Sequence, residues 1–233
     1  MNNTELKGSD NMKAELISCM GDDLTVVNAA RVSFDKESEW QGVKEDDWSF
    51  DFILKENDQR LIKYLATHGH FTPFTHPQIT LRETVPIFVA RQRFKHVVGF
   101  TYNEVSRRYV DDAPTFYVPE EWRSRPEGSV KQGSGGKWAL NTAAHSAYGD
   151  FIDSAERLYS WFIKNGAAPE QARMVLPQSM YTSYYVTGSL AAFARAYKQR
   201  VDAHAQVEIQ ELAKQWDKVI RPLFPVSWEY LTK

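Results

Sequence analysis

The chain has 233 residues, of which 42% are hydrophobic and 25% are charged. This length and composition allow one sizeable core and predict a single domain over 1–233. No run of about 18 apolar residues occurs, and the polar stretch from Met1 to Met12 lacks a secretory signal's apolar core, so we expect neither a membrane span nor secretion. A net charge of −2 argues against a general nucleic-acid coat protein, and the lone Cys19 cannot form an intrachain disulfide. A cytoplasmic protein is therefore the expectation.

The first half of the chain alternates between predicted strands and helices. Apolar periodicity, β-branched residues and Gly or Pro punctuation define their boundaries. The predicted elements in chain order are a strand over Met12–Met20, a helix over Leu24–Val32, an acidic loop over Asp35–Trp48, a helix over Asn57–His68, a strand over Gln78–Val85 and a helix from Pro86 to Val98 closed by Gly99.

The second half is predicted to be mainly helical, because apolar residues recur at three- and four-residue steps. Together with the first half it predicts an α+β fold, with a mixed or antiparallel sheet flanked by long helices. The predicted elements are a Gly- and Ser-rich loop over Arg123–Lys137, a helix over Trp138–Lys164, a short helix opened by Pro169 and holding Arg173, a strand over Tyr181–Val186, and helices over Leu190–Arg200 and His204–Leu223.

Positive charge is concentrated between Arg91 and Tyr109. Five cations and one anion give this window +4, which leaves −6 for the rest of the chain. On a helix Arg91 and Lys95 share a face, as do Gln92 and His96, and the following loop offers Asn103, Glu104, Ser106 and Arg108. Arginine can hold a phosphate through two parallel hydrogen bonds. The alternative is a solvated basic helix face followed by a polar turn.

Three further segments carry candidate site residues. His68, His70 and His76 could bind zinc in principle, but no carboxylate or cysteine accompanies them at ligand spacing, so a polar turn is favoured and no metal is predicted. Arg173 lies among apolar neighbours, so partial burial beside a core carboxylate or a ligand phosphate is expected. Asp202 precedes the last predicted helix and could be only its cap.

Taken in order, these segments resemble the flavin-dependent thymidylate synthase family. The resemblance covers nearly the whole chain, with 123–165 its least distinctive part. It is carried by AARVSFD from Ala29, HGHFTPFTH within Thr67–His76, PIFVARQ from Pro86, NEVSRRY from Asn103, ARMVLP from Ala172 and RVDAHAQVEIQ from Arg200.

The resemblance implies methylation of dUMP at C5, with 5,10-methylenetetrahydrofolate as carbon donor, FAD as hydride carrier and NADPH as reductant. It implies no cysteine nucleophile, and active sites shared between subunits of a homotetramer, without nucleic acid or membrane partners. The implied catalytic residues are Arg200, which faces the uracil ring, and Ser106, which positions the nucleotide. The implied substrate contacts are Gln92, Glu104, Ser106, Arg107, Arg108, Arg173 and Arg200. The implied cofactor contacts are Ser33, His70, Thr72, Lys95, His96, Val97, Glu104 and His204.

The chain departs from the family signature, which is Arg-His-Arg followed seven residues later by the serine. Here the triplet is Lys95-His96-Val97 and eight residues separate it from Ser106. Lysine lacks the bidentate fork and Val97 carries no charge, so the diphosphate of FAD is expected to be held differently. The extra residue near Val98 and Gly99 is expected to bulge.

Two other functions fit parts of the pattern. A catalytically silent homologue that binds dUMP or flavin fits the altered triplet. A single-stranded nucleic-acid platform fits the basic window, in which Phe94, Phe100 and Tyr102 could stack on bases.

Overall fold

The computed structural model describes residues 6–7, 12–44, 50–109, 112–128 and 133–233. The strands are β1 (Leu6–Lys7), β2 (Lys13–Met20), β3 (Gln41–Lys44), β4 (Phe50–Ile53), β5 (Gln78–Pro86), β6 (Phe100–Glu104), β7 (Phe116–Tyr117) and β8 (Tyr181–Ser189). The helices are α1 (Asp23–Arg31), α2 (Glu56–Thr67), α3 (Ile87–Arg93), α4 (Asn141–Lys164), α5 (Pro169–Ala172), α6 (Leu190–Arg200), α7 (Val207–Ile220) and α8 (Pro225–Thr232). Short 3-10 turns cover Val32–Phe34, Thr72–Thr75 and Arg173–Val175.

A four-stranded antiparallel sheet in the order β2-β5-β8-β6 organises the fold. The central strands β5 and β8 pair along their whole length, from Gln78 opposite Ser189 to Pro86 opposite Tyr181. Their side chains alternate between buried and more exposed positions, as expected for strands with one face on the core. Most of the edge strand β2 is exposed. Two minor sheets pair β1 with β7 and β3 with β4.

The core lies between this sheet and the C-terminal helices. Trp216 of α7 and Trp228 of α8 are among the largest side chains that are fully buried. The start of α8 is tied to α1, because the Asp23 carboxylate accepts hydrogen bonds from the backbone N–H groups of Val226 and Ser227, at 2.8 and 2.9 Å. Burial raises the pKa of Asp23, and these hydrogen bonds act against that shift.

A charged pair is buried in the same core. Nε of Arg93 donates to both carboxylate oxygens of Glu83, at 3.2 and 3.1 Å, and neither side chain is exposed. The hydroxyl of Tyr184 donates to Glu83 at 2.6 Å, and Nη1 of Arg93 donates to the Tyr102 hydroxyl at 2.7 Å. Aromatic rings surround the guanidinium, with the Phe100 ring centroid 4.3 Å from Cζ. The pair therefore links α3 to the sheet.

Most predicted elements are confirmed, including an α+β fold with an antiparallel sheet. The helix predicted over Leu190–Arg200 has those bounds, and the remaining shared helices and strands differ mainly at their ends. The Asn57–His68 helix runs from Glu56 to Thr67, and the last predicted helix, His204–Leu223, is shorter at both ends.

Three predictions about the elements are wrong. The helix from Pro86 ends at Arg93 rather than near Val98, because the chain turns back there into β6. The segment containing Asn103 and Glu104 was predicted as a loop but ends that strand. The loop predicted over Asp35–Trp48 contains β3, and its last four residues, 45–48, lie outside the described ranges.

Candidate functional site

One basic cleft opens where β6 ends. It has a volume of about 740 Å³ and we call it the Arg108 cleft, since Ser106, Arg107 and Arg108 line it together with Arg173. Ser106 Oγ accepts a hydrogen bond from the Arg108 backbone N–H at 3.3 Å, and Arg107 donates to the Asp112 carbonyl. The sequence segment that follows β6 therefore presents its cations to one concave surface.

Glu104 and Arg173 complete this cleft from two sides. Glu104 accepts a hydrogen bond from the Thr182 hydroxyl at 2.7 Å, which fixes a carboxylate at the end of β6. Arg173 is exposed and its Nε donates to the Glu170 carbonyl at 3.3 Å. The predicted partial burial of Arg173 is therefore wrong, because its 3-10 turn lies on the surface and its neighbour Met174 is exposed as well.

A second cleft of about 620 Å³ lies at the end of α6. We call it the Arg200 cleft, and its lining includes Gln92, Arg200, His204 and Gln206. Arg200 donates from Nε to His96 Nε2 at 2.8 Å and from Nη2 to the Gln92 carbonyl at 3.2 Å. No further partner of Arg200 occurs among the residues described, so its Nη1 remains available to a ligand.

His96 is neutral at physiological pH. Burial, together with the charges of Arg200, Arg93 and Arg195, lowers its pKa to about 4. Because arginine Nε can only donate, Nε2 of His96 must be the acceptor, and its proton lies on Nδ1. The His96 carbonyl accepts from the Tyr102 hydroxyl at 2.7 Å. Burial raises the pKa of Tyr102 to about 12, which keeps that donor protonated.

A polar chain holds Gln92 from the other side. Its amide donates to Gln206, whose own amide donates to Glu208 at 2.8 Å, and Glu208 is also ion-paired with Arg123. Burial raises the pKa of Glu208, but hydrogen bonds from Arg123 and Gln206 outweigh it, so the net shift is downward. Sequence reasoning missed Glu208 and Arg123. The one signal for Glu208 was a carboxylate at a core-facing position of a helix.

Comparisons with known proteins identify the family of this chain. A family model described as thymidylate synthase complementing protein matches residues 15–226. A flavin-dependent thymidylate synthase from Thermosipho africanus is 35% identical over 230 residues, which are 98% of this chain and 94% of that protein. One from Thermus thermophilus is 34% identical over 213 residues, 91% of this chain and 73% of that protein.

The chain belongs to the flavin-dependent thymidylate synthase family. A solved neighbour is the UMP/dUMP methylase PolB from Streptomyces cacaoi bound with 5-Br UMP, with a TM-score of 0.81 and 29% identity over 98% of this chain and 96% of that one. Its complex with 5-Br dUMP gives a TM-score of 0.80 and 28% identity. As a member of this family the chain is an enzyme.

In this family member the altered triplet forms a turn. Lys95 and His96 follow the end of α3, and the backbone N–H of Phe100 donates to the Val97 carbonyl at 3.3 Å. Gly99 in this turn, next to the predicted position of the extra residue, has a φ of +78°. Arg93 is buried against Glu83, so it cannot replace the cation that is missing at Val97.

The other residues predicted for the cofactor are dispersed on the surface. Ser33 lies in the 3-10 turn after α1. Thr72 begins the 3-10 turn before β5, and His70 lies two residues before it. All three side chains are exposed. His204 is exposed and bonded to Asp202 at 2.9 Å. Asp202 is not the cap of α7, because that helix begins later, at Val207 with Gln206 as its N-cap.

Neither Cys19 nor the histidines form a metal site or a reactive centre in the described part of the chain. Cys19 is exposed on the edge strand β2, and partial burial of its thiol raises its pKa. Among the residues that the structure describes, no three His, Cys, Asp or Glu side chains are grouped to hold a metal ion. Within the same ranges, no helix is both long and apolar enough to cross a bilayer.

The two clefts share no lining residue within one chain. The residues predicted to contact one nucleotide are divided between them, with Glu104, Ser106, Arg107, Arg108 and Arg173 in the first and Gln92 and Arg200 in the second. A single chain thus presents these residues on two separate clefts.

Proposed function

We propose that this chain methylates dUMP to dTMP at C5, with 5,10-methylenetetrahydrofolate as carbon donor, FAD as hydride carrier and NADPH as reductant. The observation that carries the proposal is the pair of basic clefts, in which the family's nucleotide-binding positions are occupied by arginines. The relatives are named flavin-dependent thymidylate synthases, and PolB is a UMP/dUMP methylase, which supports the same chemistry here.

The Arg108 cleft is proposed to bind the nucleotide phosphate. Arg107, Arg108 and Arg173 supply positive charge, and Ser106 supplies a hydroxyl at the start of the same segment. Guanidinium groups bind phosphate through paired, charge-assisted hydrogen bonds. Glu104 is held by Thr182 at the edge of this cleft, where it is proposed to contact both the nucleotide and the flavin.

Arg200 is proposed to face the uracil ring. Its Nε donates a hydrogen bond to His96 and its Nη2 donates one to the Gln92 carbonyl, so the guanidinium is fixed. Its Nη1 has no partner among the described residues. A fixed cation beside the pyrimidine favours loss of the N3 proton and stabilises negative charge on the ring oxygens. That charge raises the electron density at C5, so C5 can attack without a covalent bond to the enzyme.

The proposed reaction uses no cysteine nucleophile, and the position of Cys19 supports this part of the proposal. Cys19 lies on β2, and Ser106 follows β6 at the opposite edge of the sheet. Three strand spacings separate the edges, which amounts to about 14 Å. Ser106 has no base beside it in the described hydrogen bonds, so its proposed role is to position the nucleotide.

Residues from five short segments are proposed to hold FAD. Ser33, His70 and Thr72 come from the part of the chain before β5. Lys95, His96 and Val97 come from the turn after α3, Glu104 from the end of β6 and His204 from the segment before α7. FAD, when bound, supplies the hydride that completes the methyl group. The exposed ammonium group of Lys95 and the exposed hydroxyls of Ser33 and Thr72 fit a ligand with a diphosphate.

A homotetramer with shared active sites is proposed to join the two clefts. Exposed apolar side chains, including Leu16 and Ile17 on the edge strand and Phe34 in the turn after α1, provide surface that an assembly would bury. One domain over 1–233 and a cytoplasmic location remain part of the same proposal.

The test is an assay with purified protein. We expect flavin absorbance near ~450 nm, bleaching by NADPH, and formation of dTMP that requires dUMP and methylenetetrahydrofolate together. UMP in place of dUMP measures whether the ribonucleotide is also a substrate. A flavin-loaded protein that binds dUMP but makes no dTMP would instead identify a catalytically silent homologue, and salt-sensitive oligonucleotide binding without flavin would identify the nucleic-acid platform.

A further inference from the structure

The turn that carries the altered triplet is pressed against α6. A Cβ on Gly99 would lie 2.9 Å from the Ala192 Cβ, so only glycine permits this approach. The backbone N–H of Ser189 donates to the Gly99 carbonyl at 3.3 Å. One helical turn after Ala192, Arg195 donates from Nη2 to the Val98 carbonyl. The guanidinium of Arg195 is therefore fixed beside the turn.

The cations around this turn are not balanced by carboxylates. Arg195 and Arg200 donate to neutral acceptors, which are the Val98 carbonyl and the His96 ring with the Gln92 carbonyl. Arg93, by contrast, has Glu83 as its partner. Within the described ranges neither Arg195 nor Lys95 has an ion pair.

The unbalanced cations Arg195 and Arg200 share one neighbour, His96. Arg200 donates to its ring, and the charges of Arg200 and Arg195 both act on that imidazole. Cations grouped in this way repel each other unless an anion lies between them. The surface at the turn is therefore suited to an anionic ligand.

We propose that Arg195 binds the diphosphate of the flavin dinucleotide, and that it supplies the second cation that Val97 lacks. The inference rests on the proposed function, since the flavin dinucleotide is the ligand of that function. Lys95 supplies the first cation from the turn itself, and Arg195 supplies the bidentate fork from α6. The positive charge that the family carries at the position of Val97 is thus supplied here by Arg195 of α6.

The surface next to Arg195 has room for the rest of such a ligand. A cleft of about 680 Å³ is lined by Arg195, Lys198, Thr67 and Phe71, among others. Thr67 and Phe71 flank His70, which the family resemblance assigns to the flavin. The exposed ring of Phe71 offers a flat apolar surface at the same place.

The alternative role for Arg195 is structural, in which it only fixes the turn through Val98. The two roles differ in the ligand they affect. A structural role affects every flavin equally, whereas a diphosphate contact affects FAD and leaves riboflavin, which has no phosphate, unchanged.

The experiment titrates flavin-stripped, full-length protein with FAD and with riboflavin, using flavin fluorescence. Arg195→Gln should raise the dissociation constant for FAD by about tenfold or more, the effect of losing a charge-assisted hydrogen bond, and leave that for riboflavin unchanged. Val97→Arg in the Arg195→Gln background should restore FAD affinity. Arg157→Gln, an exposed change on α4, is the matched control and should bind both flavins as the wild type does.

Four results would overturn the inference. Equal loss of FAD and riboflavin affinity in Arg195→Gln would assign Arg195 a structural role. Unchanged FAD affinity in Arg195→Gln, with a wild-type protein that makes dTMP, would remove Arg195 from the site. A Val97→Arg change that recovers no affinity would refute the exchange of cations. A wild-type protein that binds no FAD would overturn the proposed function itself, together with this inference.

Discussion

His96 Nε2 accepts a hydrogen bond of 2.8 Å from Nε of Arg200. This contact joins the turn after α3 to the end of α6, two segments that are far apart in sequence, and it holds Arg200 at the edge of the Arg200 cleft. The family resemblance implied a cofactor contact for His96. In the structure its ring also holds the arginine that is proposed to face the uracil.

Removing this acceptor should weaken the hold on Arg200. His96→Leu should lower kcat/KM for dUMP by about 10- to 100-fold, the effect of losing one hydrogen bond to a charged group. His96→Gln keeps an acceptor and should retain most of the activity. Steady-state kinetics with dUMP as the varied substrate measure both.

A double mutant tests whether His96 acts through Arg200. His96→Leu should add little to the defect of Arg200→Ala, because the contact is already absent in the single variant. Additive losses would show that His96 acts independently. His145→Leu, a change on α4 outside both clefts, is the control.

The pKa of His96 predicts how stability depends on pH. The unfolded chain binds a proton at this residue near pH 6.5, whereas the folded protein does so only near pH 4. The unfolded state therefore binds more protons between these values, so the contribution of His96 to stability is present above pH 6.5 and is lost as the pH falls toward 4.

Urea denaturation at two pH values measures this contribution. Between about pH 7 and about pH 5 the wild type should lose about 1–2 kcal/mol more of its free energy of unfolding than His96→Gln. His68→Gln, at an exposed position, controls for the loss of a histidine. Equal losses in the wild type and His96→Gln would contradict the assignment.

The buried Glu83–Arg93 pair should be sensitive to single changes. Arg93→Met leaves the Glu83 carboxylate without its cation in the core and should cost about 3–5 kcal/mol of stability in urea denaturation. Adding Glu83→Gln removes the stranded charge and should recover a large part of the loss. Arg60→Met, in the exposed pair with Glu56, should have little effect.

The Glu208 network predicts a binding defect. Glu208→Ala removes the acceptor of both Arg123 and Gln206, so Gln92 is no longer oriented from behind. The KM for dUMP should rise by about threefold to tenfold with little change in kcat, which is the pattern of lost ground-state binding. Glu229→Ala, on the surface of α8, is the control. A drop in kcat without a change in KM would argue against this role.

The elements that could be predicted from sequence are those with local signals. The helix Leu190–Arg200 begins directly after Ser189, whose hydroxyl accepts from the Ala192 backbone N–H, and its apolar residues recur with helical spacing. The strands β5 and β8 show alternation and β-branched residues. These patterns are independent of distant partners.

The elements that were missed depend on distant partners. The strand β6 exists because Phe100 pairs opposite Gly188, across 88 positions of sequence, and its polar end, Asn103 and Glu104, resembles a loop when seen alone. Arg93 resembles a surface cation, yet it is buried because Glu83 is brought to it by the neighbouring strand. Pairing between distant segments of one chain leaves no pattern in the local sequence of either segment.

The candidate site could be predicted only in part for a related reason. Family resemblance supplied Arg108, Arg173 and Arg200, but not their division between two clefts. Nor did it supply the contacts made by Glu208 and Arg195, because a motif does not identify the partners of its residues and Arg195 lies outside the motifs. The site residues themselves stay predictions until they are tested.

The most direct test of the account is complementation between inactive variants. Arg108→Ala disables one cleft and Arg200→Ala the other, so each variant alone should be inactive. In assemblies that contain both chains, isolated through two different affinity tags, about one site in four should combine two intact clefts if each site draws them from different subunits. We predict that dTMP formation returns in these mixed assemblies. Mixed assemblies that bind FAD but form no dTMP would contradict a site built across two chains.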